Sequence, residues 1–221
     1  METPLPLNIP LPAKPTRDAE IHRLIGGALC LDFTNTLNGH RGHAGHEYLL
    51  EYVDLVLWGR HAGYLTEATA SALLRSAEQN PAHAESTLRK TLDLRETLFR
   101  IFSSLAAGTS PAGADLEALN AFRLEAHEHS QIVQAGDGFI LAWREPLSLE
   151  LPLWPVILSA ADLLVSQEVH GLHECHGEGC DWLFLDTSRN RLRLWCSMEE
   201  CGNRAKMRRR YARQREKADI K

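Results

Sequence analysis

The chain has 221 residues, of which 44% are hydrophobic and 24% charged, and a net charge of −5. No apolar run is long enough to cross a bilayer, and the first residues lack the basic-then-apolar order of a secretory signal. A membrane protein and an exported one are thereby set aside, and a cytoplasmic globular protein is predicted.

The net charge hides a split. Arg189 to Lys221 carries twelve Lys/Arg against four Asp/Glu, a net +8, which leaves −13 on Met1 to Ser188. An acidic body with a basic end is the footprint of a polyanion-binding module attached to something else.

In chain order, five of the ten prolines fall within the first fifteen residues. Residues 1–20 therefore read as an extended proline-rich arm. A body over 21–171 follows. Its GGALCLDFTNTL stretch reads as a strand, with Leu29, Leu31 and Phe33 alternating with Cys30, Asp32 and Thr34. A Gly/His loop comes next. A helix is then predicted with Leu49, Val53, Val56, Leu57 and Arg60 on one face, ended by Gly63. Thr66 is a good N-cap for a helix through about Gln79. A long helix runs from about Pro81 to Ala107, with Leu88, Leu92, Phe99, Phe102 and Leu105 as its stripe and Arg95 interrupting it. Ser110-Pro111 announces another helix that carries Leu116, Leu119, Phe122 and Ala126. QIVQAGDGFILAWRE reads as a hairpin. LWPVILSAADLLVSQEVHG is a last apolar helix, ended by Gly171, on which the C-terminal part is predicted to pack. The fold class is α+β: a mostly helical N-terminal domain with a few strands, then a small treble-clef-like module over 172–221.

That module holds Cys175, Cys180, Cys196 and Cys201, two C-x4-C pairs. Four thiolates in two knuckles close a tetrahedral zinc shell and leave no open position for a substrate. One structural Zn2+ is the predicted cofactor and no catalytic residue is assigned. An iron–sulfur cluster uses the same ligands. His170, His173 and His176 flank the first knuckle and read as bystanders, and Cys30 as a buried body residue. CDWLFLD and RLRLWC read as two strands of a hairpin, with Trp182 and Phe184 opposite Leu183 and Leu185. Cys201 falls in the first turn of a basic helix. There Lys206, Arg209, Arg210, Arg213 and Lys217 form one stripe, Arg208 and Arg215 widen it, and Met207, Tyr211 and Ala218 form a narrow apolar one. Arg193 and Arg204 complete the candidate nucleic-acid-binding set, and both have an electrostatic use beside a Zn(Cys)4 centre that carries −2.

The stretch FLDTSRNRLRLWCSMEECGNRAKMRRRYARQR resembles the CGNR zinc finger, named for Cys201-Gly202-Asn203-Arg204. The body, through LCLDFTNT, YVDLVLWGRHAGYL and LRETLFRIF, resembles the ABATE domain that precedes it. Leu194 stands where similar proteins tend to carry a basic residue. The resemblance implies a stress-linked bacterial transcription regulator with a small-ligand-sensing body. It also implies a zinc module that binds nucleic acid, DNA in the first reading and RNA in the second. A protein–protein module is the rival from another class, and homo-oligomers stay open.

Within the body, Asp32, Asn35, Thr36 and Arg95 are the candidate ligand-binding group. Asp32 is also the internal partner predicted for Arg95, since a buried arginine needs a carboxylate. His40, His43 and His46 form an H-x2-H-x2-H series that is better read as a polar loop than as a second metal site.

Overall fold

The computed structural model describes residues 23–39, 41, 45–144 and 147–219; the proline-rich arm, His40 and His43 lie outside these residues. The element order is α1 (Leu29–Thr34), β1 (Leu37–Asn38), β2 (His46–Glu47), α2 (Tyr52–His61), α3 (Glu67–Gln79), α4 (Pro81–Ala106), α5 (Gly113–Glu128), β3 (Ser130–Ala135), β4 (Gly138–Trp143), α6 (Trp154–Val165), β5 (Leu172–Glu174), β6 (Leu183–Leu185) and α7 (Asn203–Asp219). The strands form three separate antiparallel pairs, β1–β2, β3–β4 and β5–β6. The α+β class holds.

The predicted first strand is instead the helix α1. Cys30 to Thr34 are all buried. An element covered on every side shows no polar face, so its side-chain order cannot separate period 2 from period 3.6. Gly26 opens this corner. A Cβ there would lie 2.8 Å from the Leu31 Cβ and 2.9 Å from the Asp32 backbone nitrogen.

In α2 the buried face is Tyr52, Leu55, Val56 and Gly59, while Leu57 is exposed, so the predicted face is rotated. Trp58 is buried beside them, so aromatic and glycine positions share the contact with Leu55 and Val56. α3 starts as predicted, the Thr66 hydroxyl accepting the Thr69 N–H at 3.1 Å. α4 buries Ala84, Thr87, Thr91, Leu94, Leu98 and Ile101 along its centre, with Leu88, Leu92, Phe99 and Leu105 at the margins. Neither Thr87 nor Thr91 belongs to the predicted stripe, yet both are buried. One of them, Thr91, hides its hydroxyl by donating to the Thr87 carbonyl at 2.7 Å, a bond available only inside a helix. The β3–β4 hairpin turns through Gly136-Asp137 as the sequence indicates. α6 ends at Val165, not Gly171: Ser166 is extended and caps a separate 3-10 turn over Gln167–Gly171.

The β5–β6 hairpin joins two cores. Leu172, Leu183 and Leu185 belong to the core of the helical body. Phe184 and its neighbour Trp182 pack with the four cysteines. This is the alternation read from CDWLFLD, now with a destination for each face. The hairpin rests mainly on α1 and α4, not on the preceding helix α6. No described helix is long and apolar enough to cross a membrane.

Candidate metal centre and basic helix

The metal-ligand geometry starts at the end of β5. The Cys175 N–H donates to the Trp182 carbonyl at 2.9 Å, closing the knuckle on β6. Gly177 inside it allows close approach, since a Cβ there would lie 2.9 Å from the Cys201 sulfur. The Gly177 and Cys196 N–H groups both donate to the Cys175 Sγ at 3.3 Å. The four sulfurs lie within 4.8 Å of one another, with Cys180–Cys196 and Cys196–Cys201 each at 3.7 Å. Zinc–sulfur bonds of about 2.3 Å in a tetrahedron give sulfur–sulfur edges of about 3.8 Å, whereas a disulfide needs about 2.05 Å. The donor set therefore fits one zinc ion. Packed this tightly, the thiols share protons. Hydrogen bonds from the other three cysteines hold Cys201 well below the ordinary thiol range, and the same neighbours hold Cys196 well above it. A divalent cation replaces those shared protons. Among the described residues no histidine joins the cluster. Cys30 is fully buried, its thiol pushed up to about 12 by that burial.

Between the two knuckles the predicted second strand, RLRLWC, is absent. The β5–β6 pair is the hairpin of the module, and residues 191–196 return without a ladder. Asp186 explains this. Its carboxylate accepts the Ser188 N–H at 2.9 Å and the Arg193 N–H at 2.8 Å, so a side chain supplies the bonds that a second strand would have supplied. Arg193 turns inward. Its guanidinium donates to the Trp195 carbonyl at 3.0 Å and to the Cys196 carbonyl, and lies 4.3 Å over the Phe184 ring. Its role beside the metal is to shape the second knuckle. Arg204 reaches the cluster directly, donating to the Cys201 Sγ at 3.1 Å.

Cys201 sits in a π-turn over Met198–Gly202 that leads without a break into α7, one turn earlier than predicted. Ser197 caps that turn by accepting the Glu200 N–H at 3.3 Å. Lys206, Arg209, Arg210 and Arg213 are exposed along α7. Lys217 continues the helix, its side chain lying outside the described residues. Arg208 pairs with Glu178 of the first knuckle.

Of the four candidate ligand residues of the body, Thr36 and Arg95 meet, the Arg95 Nη1 donating to the Thr36 hydroxyl at 3.3 Å, while Asp32 and Asn35 bond elsewhere. Asp32 accepts the Gly26 N–H at 2.7 Å, and burial pushes its carboxyl up to about 7. Asn35 is a backbone clamp: its Nδ2 donates to the Leu183 carbonyl and its Oδ1 accepts the Leu183 N–H, both at 2.9 Å. It thus pairs with the outer edge of β6, where the Gly26 carbonyl accepts the Leu185 N–H at 2.8 Å. The Thr36 hydroxyl donates to the Phe33 carbonyl at 2.8 Å.

Arg95 pairs with Glu47, not Asp32, through bonds of 2.7 and 2.6 Å, with Glu96 Oε1 at 3.1 Å. Burial alone would raise Glu47, but the bonds and charge of Arg95 outweigh it and hold the carboxylate below its usual value. Glu47 directly follows His46 in sequence, and it is β2, paired with β1, that carries it to Arg95 of α4. His46 packs edge-on against Tyr48.

Sequence reasoning missed the joint between body and module. Arg41 donates to Glu96 Oε2 at 2.8 Å, to the Thr34 carbonyl at 2.8 Å and, from its backbone and side chain, to Asp181 at 2.7 and 3.1 Å. Its guanidinium also lies 3.6 Å over the Phe99 ring. Asp181 is 1% exposed. The available signal was an aspartate between Cys180 and Trp182, two residues bound to be buried: it needed a cation from elsewhere. Trp182 Nε1 adds a bond to the Leu37 carbonyl at 3.0 Å.

Residues 27–167 match the ABATE family, described as "putative stress-induced transcription regulator". Residues 172–214 match the CGNR zinc finger. No curated protein matches the chain.

Proposed function

We propose that this chain, which belongs to the ABATE family and ends in a CGNR zinc finger, is a transcription regulator that grips DNA through the arginine face of α7. Both families are regulator and zinc-finger types rather than enzymes. The chain binds one zinc ion through Cys175, Cys180, Cys196 and Cys201.

The observation that carries the reading is a zinc-anchored helix whose Lys206, Arg209, Arg210 and Arg213 all face solvent. A 17-residue helix is about 25 Å long and of a width that the DNA major groove admits. Arg204 and Arg193 contribute by holding the second knuckle, and Lys217 extends the basic stripe. The RNA reading loses two of its four candidate stacking rings, since Trp182 and Phe184 are buried in the module core, while Trp195 is half-buried and Tyr211 exposed.

Asp32, Asn35, Thr36 and Arg95 serve in this reading as joints of the body. An effector would act by shifting how α1 and α4 hold the β5–β6 hairpin.

Binding of the zinc-loaded protein to duplex DNA, single-stranded RNA and a non-nucleic polyanion across a salt series tests the proposal. The expected result is a steep slope for duplex DNA that Arg209→Ala and Arg213→Ala each lower by about one unit. Equal and weak binding to all three polyanions would overturn it.

A further inference from the structure

Helix α7 has a second side. Arg204 stands three and four residues before Met207 and Arg208, and Tyr211 four and three after them, so the four share a face apart from the Lys206–Arg213 stripe. On that face Met207 is 43% and Tyr211 58% exposed. Together with Glu199, Glu200, Asn203 and Asn38 these residues line an open cleft of roughly 750 Å³. The apolar atoms of the cleft, with the aliphatic stems of two arginines, make a surface unlike the rest of the basic helix.

The chain that enters the described structure begins at the rim of this cleft. Arg23 Nη2 lies 3.0 Å from Glu199 and its Nη1 2.9 Å from Glu200, and both glutamates line the cleft. Arg23 Nη1 also donates to the Ser197 hydroxyl at 3.4 Å. Twenty-two residues precede it. Among them Pro4-Leu5-Pro6-Leu7-Asn8-Ile9-Pro10-Leu11-Pro12 consists of prolines and aliphatic residues with the one polar residue Asn8, and carries no charge.

The ten residues from Ala13 to His22 span up to about 33 Å when extended, and the two turns of α7 from Arg204 to Tyr211 cover about 11 Å. Reach is not limiting.

We propose that residues 4–12 dock in this cleft, against Met207 and Tyr211, as an intramolecular ligand of the zinc module. The chemistry fits on both sides. A proline-rich segment loses little conformational entropy on docking, and exposed aromatic rings are what such segments pack on. Tethering at Arg23 supplies an effective concentration in the millimolar range, so a weak intrinsic affinity is enough. The docked segment covers the Met207–Tyr211 face and leaves Lys206, Arg209, Arg210 and Arg213 open. The proposal therefore stands or falls separately from nucleic-acid binding.

Site-specific photocrosslinking of the full-length, zinc-loaded protein tests it. With Leu7→p-benzoylphenylalanine at dilute protein concentration, irradiation is expected to join position 7 to the peptide containing Met207, within one chain. Tyr211→Asp, at an exposed position, is expected to cut that yield at least fivefold. Arg210→Ala, on the other face, should leave it unchanged. Crosslinks confined to the body, crosslinks formed only between two chains, or a yield indifferent to Tyr211→Asp would each overturn the proposal.

Discussion

Two groups of chemistry-bearing residues stand out in this chain, the four cysteines near the C-terminus and the set Asp32, Asn35, Thr36 and Arg95 in the body. Folding treats them in opposite ways. The cysteines come from four points of the chain and meet with sulfurs within 4.8 Å of one another. Of the body residues only Thr36 and Arg95 meet, at 3.3 Å; Asp32 is drawn to the Gly26 backbone, Asn35 to β6, and Arg95 binds chiefly to Glu47. Repeated spacing of a residue type that has one strong use predicts convergence. Nearness of residue types with many uses does not, because a buried polar group takes whichever partner tertiary structure brings.

Removing the metal has the largest expected effect. Structural zinc contributes on the order of 10–16 kcal/mol to the folding of small fingers. Here Leu172, Leu183 and Leu185 of the module's hairpin sit in the core of the body. Cys196→Ser or chelation is therefore expected to unprotect amides of α1 and α4 as well as residues 172–219 in hydrogen exchange. Loss of protection confined to 172–219 would show that the two cores stand independently.

Next in size is the Glu47–Arg95 pair. The Arg95 side chain is 4% exposed, so Glu47→Ala leaves a buried guanidinium with only Glu96 and the Thr36 hydroxyl as partners. The expected loss is about 3–5 kcal/mol in urea unfolding. A loss below about 1 kcal/mol would return Arg95 to the candidate ligand group.

Much of this was readable beforehand, for reasons that differ by residue. Thr66 and Asn80-Pro81 punctuate α3 and α4 through local chemistry, which needs no knowledge of the fold. The Gly136-Asp137 turn and the cysteine knuckles are local in the same sense. The misreadings are all of a kind. α1 was mistaken for a strand because it is buried all round. The predicted α4 stripe leaves out Thr87 and Thr91, which are buried. The strand over 191–196 was inferred from alternation that the Asp186 carboxylate makes unnecessary. Asp181 signalled the need for a cation, but its partner Arg41 lies 140 residues away. In each case the deciding contact, near in sequence or far, is one that a hydropathy pattern does not show.

The smallest effect concerns Asp32, and it separates the two roles offered for that residue. Burial raises its carboxyl from an ordinary value of 3.8 to about 7, against the lowering effect of the Gly26 and Ile25 backbone bonds. Between about pH 4 and pH 7 the folded protein then holds a proton that the unfolded chain has released. Stability from this group is full below about pH 4, falls as pH rises by up to about 1.4 kcal/mol per unit, and is flat above pH 7. Asp32→Asn keeps an oxygen that can accept the Gly26 N–H and removes the titration. The variant is expected to gain on the parent protein as pH rises from 5 to 7, read as the difference in urea midpoints, in which the other groups cancel. Parallel curves would mean that the backbone N–H groups hold Asp32 ionised even when buried. The start of α1 would then carry a fixed negative charge, and a cationic or donor-rich effector would have a group to find there.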